Sequence, residues 1–161
     1  MRKYLLFIGV LIVGLASCSK DNGPTPPPFD EAAQAKIDDE RIKVYLEEHP
    51  QITATKHSSG LYYQIIQEGT GANPTASSLV TVDYKGETIK GSVFDQGTYT
   101  TRLDLRGDVI DGWKVGLPLV KTGGTILLIL PSRLAYGQVS PGPGIGANSV
   151  LIFTLKLKET K

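Results

Sequence analysis

The sequence predicts an α+β fold in which a mostly antiparallel sheet carries one short helix on its apolar face, with a helical extension ahead of it. Three observations predict this. Apolar side chains recur at the two-residue period of a strand in Leu61-Tyr63-Ile65, in Val80-Val82-Tyr84 against Thr81-Asp83-Lys85, and in Leu151-Phe153-Leu155-Leu157 against Thr154-Lys156-Lys158. Clusters of Gly, Pro, Asn and Asp at 69–75, 106–108, 122–124 and 140–148 supply turns between these segments. Helix signals are confined to two stretches, about 30–48 and 111–118. A chain of 161 residues with 40% hydrophobic and 20% charged residues has material for one domain of about 100 to 150 residues plus appendages.

Residues 1–17 read as a targeting segment. Arg2 and Lys3 precede YLLFIGVLIVGLAS (4–17), an apolar stretch shorter than the roughly 20 residues of a membrane-spanning helix. This is the pattern of a cleaved signal peptide. Leu15-Ala16-Ser17-Cys18 resembles the bacterial lipobox, which implies cleavage before Cys18 and lipidation of its sulfur, and accounts for the single cysteine of the chain. More than one acyl chain makes such an anchor durable, so the expected location is the bacterial cell envelope, at the outer membrane, on its periplasmic face or at the cell surface. Loss of Arg2 and Lys3 from 17 basic residues leaves 15 against 16 acidic ones. That balance gives no attraction to nucleic acid, and none is expected as a partner.

The next elements follow in order. Residues 18–29 are polar and Pro-rich, an extended tether with nothing to bury. Asp30 is an N-cap for a helix to about Glu48, with Pro50 just past its end. Its apolar positions Ala33, Ile37, Val44 and Tyr45 give a narrow stripe, suited to a spacer or a clip onto the main domain, so that 30–59 form a helical extension and linker. His49 and His57 have no cysteines or acid cluster at ligand spacing, and no metal is expected. From residue 60 to 161 the short strands take over. TILLILP (125–131) is apolar on both faces, as a buried central strand should be.

The motifs then identify a resemblance. VTVDYKG (80–86), VFD (93–95), GDVIDGWKVGL (107–117), KTGG (121–124), LPSRLAYG (130–137) and SVLIFTLKL (149–157) resemble, in order and spacing, the FKBP-type peptidyl-prolyl cis-trans isomerases. The resemblance covers roughly 60–159 and implies an FKBP-like twisted antiparallel sheet wrapped around one short helix. It also implies an isomerase that turns X-Pro bonds of secreted or envelope proteins, its partners being unfolded or partly folded polypeptides that contain proline. By resemblance Trp113, the lone tryptophan, is the floor of the proline pocket. Tyr84, Phe94, Val109, Ile145 and Phe153 form its wall with the Ile110 side chain. Asp95 and Tyr136 approach the bound imide and its carbonyl. The Ile110 amide, at the start of the short helix where backbone donors lack intrahelical partners, is the natural hydrogen-bond donor. Bottom-up, Tyr84 and Phe153 point inward by strand alternation, and a rigid aromatic floor suits a proline ring, which has no hydrogen bonds to satisfy.

The chain departs from the family pattern between Asp95 and Gly107. Leu103 and Leu105 stand where a pocket phenylalanine is usual, which implies a less aromatic wall; Arg102 and Arg106 are the candidates for the usual arginine beside Asp95; Gly144 replaces a common apolar residue. These departures admit a second reading, a catalytically weak FKBP-like chaperone or partner-binding module. Other chemistries lack their motifs. The chain has no GxSxG elbow, CxxC pair, HExxH or GxxxxGK[ST] loop, and GPGIG (142–146) lacks the strand, helix and distant acid of a dinucleotide site. No cofactor is expected.

Overall fold

The computed structural model describes residues 28–104 and 109–161. In order these form helix α1 (Glu31–Glu48), strands β1 (Thr55–Lys56), β2 (Tyr62–Gln67), β3 (Leu79–Thr88) and β4 (Val93–Arg102), helix α2 (Asp111–Gly116), and strands β5 (Thr125–Leu130) and β6 (Leu151–Thr160). The six strands make one antiparallel sheet in the order β1-β2-β5-β6-β3-β4. No helix among the described residues is long and apolar enough to cross a membrane.

Helices cover both faces of the sheet centre. On one side α2 sits over Leu61, Val80, Val82, Leu128, Leu130, Phe153 and Leu155. On the other, Ile42 of α1 packs with Tyr62, Leu127, Ile129, Val150 and Ile152. This double cover is why TILLIL is apolar at successive positions: alternate side chains enter different cores. It also changes the expectation for β6. Lys156 and Lys158 are exposed as alternation requires, but Ile152 on that same face is buried under α1.

The stripe on α1 is not the expected one. Asp30 caps the helix through the Ala33 amide as read from the sequence, yet Ile37 and Val44 are exposed. The docked face runs through Gln34, Asp38, Ile42, Tyr45 and His49, at the three- and four-residue spacings that keep side chains on one face of a helix. His49 stacks on Tyr45 at 4.0 Å and bonds the Tyr45 carbonyl through Nδ1, and His57 bonds Ser59. Among the described residues no group of His, Cys, Asp and Glu side chains gathers to hold a metal ion. Cys18 and the segment before it lie outside the described residues.

Candidate functional site

The site lies between α2 and the β3, β4 and β6 side of the sheet, and glycines set how closely the parts approach. A Cβ at Gly112 would come within 2.4 Å of Leu130, and one at Gly116 within 2.4 Å of Leu128, so their absence lets α2 lie flush on β5. Trp113, between them, is thereby held at 5% exposure. Its ring meets Tyr84 edge to face at 5.4 Å and Phe153 at 5.6 Å, and Phe153 meets Phe94 at 5.7 Å in the same manner. Such perpendicular pairs are the favoured arrangement of aromatic quadrupoles. Gly86 makes room for the last of them, since a Cβ there would stand 2.6 Å from the Phe94 ring.

These rings surround a cavity of about 210 Å³ lined by Tyr84, Phe94, Asp95, Tyr99, Val109, Ile110, Trp113, Tyr136 and Phe153. Few polar groups reach it. The Tyr84 hydroxyl donates to Asp95 Oδ2 at 2.7 Å. That bond to the carboxylate, with burial second, pushes the Tyr84 phenol up to about 12. Burial, and after it the Asp95 charge, raises the Tyr136 phenol as well. The Ile110 amide, preceding α2 as its N-cap residue, has no hydrogen-bond partner among the described residues. The Trp113 Nε1 is buried and likewise has none among them. A cavity of this kind offers an apolar floor, a backbone donor without a partner among the described residues, and a carboxylate and phenol at its exposed rim.

Eight of the nine residues named from the sequence as catalytic or substrate-binding therefore line one cavity. The exception is Ile145, which is 7% exposed and packed within the main core rather than on the cavity wall. Tyr99 was not foreseen. It projects from β4, a strand whose polar sequence carries little alternation, and it adds an aromatic ring to a wall expected to lose one. Leu103 is no substitute for a pocket ring, being 2% exposed in the core; Leu105 lies outside the described residues. Arg102 is not the partner of Asp95 either: it bonds Asp104 and the Ser77 carbonyl. Arg106 lies outside the described residues. In the structure Tyr84 supplies the neutral donor that bonds Asp95.

Comparison with known proteins bears on this arrangement. A probable FKBP-type peptidyl-prolyl cis-trans isomerase FkpA from Neisseria meningitidis serogroup B is 39% identical over 131 residues, covering 78% of this chain and 47% of that protein. Outer membrane protein MIP of Legionella longbeachae is 43% identical over 105 residues, covering 64% of this chain and 45% of that protein. The chain thus spans about half the length of these curated relatives. The crystal structure of FkpA from Escherichia coli superposes with a TM-score of 0.67 at 37% identity, over 81% of this chain and 62% of that one. The family model for the FKBP-type peptidyl-prolyl cis-trans isomerases matches residues 71–158, which is 88 of the 161 residues and takes in every cavity-lining side chain. The chain belongs to the FKBP-type peptidyl-prolyl cis-trans isomerase family.

Proposed function

We propose that this chain is a peptidyl-prolyl cis-trans isomerase that turns X-Pro bonds in secreted or envelope proteins and is held at a membrane through a lipidated Cys18. Rotation about a prolyl bond makes and breaks no covalent bond. The obstacle is amide resonance, a barrier of about 18 to 20 kcal/mol, and the uncatalysed event takes tens of seconds or longer. The planar imide is more polar than the twisted one, so an apolar hollow over the Trp113 indole disfavours the ground state relative to the transition state. The Ile110 amide and the Tyr136 hydroxyl then donate to the substrate carbonyl, while Asp95, fixed by Tyr84, faces the twisting imide. None of these groups needs to exchange a proton. A thousandfold acceleration requires roughly 4 kcal/mol, which desolvation and one or two hydrogen bonds supply.

The observation that carries this reading is the joint presence of the 210 Å³ aromatic cavity and, at its edge, an Ile110 amide without a described partner. Location at the envelope is supported by the lipobox-like sequence around Cys18 and by likeness to a protein named for the outer membrane. The direct test is catalysis of cis-trans exchange in a series of proline peptides that varies the residue before proline. A folded chain with no activity on any of them would refute the enzyme and leave the binding module. Fatty-acid labelling of wild-type and Cys18→Ala chains tests the anchor, with label expected only on the former.

A further inference from the structure

Asp38, in the middle of α1, is a carboxylate at 1% exposure and lines no part of the cavity. Its Oδ2 accepts from both the Ser132 amide, at 2.8 Å, and the Ser132 hydroxyl, at 2.6 Å. Its Oδ1 accepts from the Gln34 side-chain amide at 2.8 Å and lies 3.8 Å from the Arg41 guanidinium. A buried carboxylate is costly unless its lone pairs are matched in this way. Attachment of α1 does not explain one, because Ile42, a turn further along the same face, docks the helix with an aliphatic side chain at 0% exposure. What a carboxylate adds is direction: it specifies where Ser132 sits.

Ser132 in turn holds the turn that carries Tyr136. Its carbonyl accepts from the amides of Ala135, at 2.9 Å, and Gly137, at 2.8 Å, so the residues on either side of Tyr136 hang from one oxygen. Gly137 has φ +57, a left-handed conformation that glycine adopts without a Cβ penalty. Its carbonyl accepts from the Asn148 amide at 2.7 Å, and the Asn148 carbonyl accepts from Arg41 Nη1 at 3.2 Å. The circuit leaves α1 at Asp38 and returns to it at Arg41, enclosing the loop between.

We infer that Asp38 is a positioning residue for the reaction: through Ser132 it sets, from behind the cavity, where Tyr136 presents its hydroxyl. This rests on reading the cavity as a prolyl isomerase site. It assigns α1 a part in the activity rather than a role as spacer alone.

The test is a double-mutant cycle on the full chain, with kcat/KM measured well below the unfolding midpoint of every variant. Asp38→Ala should lower kcat/KM about tenfold in the wild-type background but by less than about twofold when Tyr136→Phe has already removed the hydroxyl. Asp38→Asn keeps an amide oxygen for Ser132 and turns its NH₂ to the Gln34 side-chain oxygen, so it should stay within about twofold of wild type. An equal loss in both backgrounds, or none in either, overturns the inference. Should Asp38→Ala fail to fold, Ser132→Ala deletes only the hydroxyl and enters the same cycle, with a loss of about threefold expected. Amide hydrogen exchange gives an arm independent of catalysis. The Gly137 and Asn148 amides should exchange about tenfold faster in Asp38→Ala while those of β5 keep their protection. Unchanged exchange at both amides overturns the inference even if the wild-type chain is active. A wild-type chain without activity would refute the isomerase reading, and exchange at these amides would still decide whether Asp38 holds the Tyr136 turn.

Discussion

The Tyr84 hydroxyl reaches Asp95 Oδ2 at 2.7 Å on the diagonal between β3 and β4, for the residue directly opposite Tyr84 is Gly97. With no side chain at Gly97 to stand between them, the carboxylate is held by a neutral donor.

Two measurements follow from that bond. Substituting Asp95→Asn removes the charge that opposes ionisation of Tyr84, so the phenol, at about 12 in the native chain, should titrate closer to its ordinary value of about 10. Phenolate absorbance against pH reads this directly, with Tyr84→Phe identifying the signal. The sign for stability is fixed as well. Because the folded value exceeds the unfolded one, the contribution is complete below about pH 10 and is lost as the pH rises toward 12. In the isomerisation assay Asp95→Ala should lower kcat/KM about tenfold, the factor expected for about 1.4 kcal/mol of lost transition-state stabilisation. Asp95 is exposed, so the unfolding midpoint should move little.

Acid should loosen α1 from the sheet. Asp39 binds Lys43 at 2.7 Å, the Tyr62 hydroxyl at 2.8 Å and the Lys56 ammonium, joining the helix to β1 and β2. The Lys43 and Lys56 contacts hold its carboxyl well below the usual carboxylate range. A depressed folded value means the stabilisation is present above about pH 4 and is lost as the pH falls toward that folded value. Unfolding midpoints taken from pH 5 down to pH 2 should therefore fall more steeply for wild type than for Asp39→Asn. Salt should reduce the difference, because both lysines are about half exposed. Equal slopes would show that Asp39 does not secure the helix.

How far these features were legible in the sequence depends on which physics wrote them. Tyr84 on β3 and Phe153 on β6 could be read as inward-facing because burial imposes a period on apolar residues, whereas Trp113 on α2 was assigned to the pocket through the resemblance of its motif to the family; TILLIL announced a buried central strand. β4 was not read as a strand. Its face is made of polar side chains that bond across to β3, Thr100 to Thr81 and Thr98 to Asp83, and hydropathy alternation is blind to such pairs. Tyr99 was missed with it. The docked face of α1 was misplaced for a related reason: Asp38 occupies its centre, and a carboxylate in an apolar row reads as a break. Its partner is 94 residues away, a distance no local pattern spans.

The donor at the head of α2 can be removed almost alone. Ile110 has φ −59, which a proline ring accepts without strain, and proline is well tolerated where a helix begins because the missing N–H had no intrahelical partner. Ile110→Pro should therefore fold, with the demand on the preceding residue limited to an extended backbone at Val109. It also trims the side chain on the cavity, so Ile110→Ala is the control for lost apolar contact. If the amide holds the substrate carbonyl as the imide twists, the proline variant should lose roughly tenfold in kcat/KM beyond the alanine variant, the factor that about 1.4 kcal/mol of one lost hydrogen bond makes. Quenching of Trp113 emission by a bound proline peptide separates the two contributions, since an amide that acts mainly in the transition state leaves ground-state affinity nearly unchanged. Equal rates for the proline and alanine variants, with both folded and both binding peptide, would show that desolvation by the aromatic cavity accounts for the catalysis without this hydrogen bond.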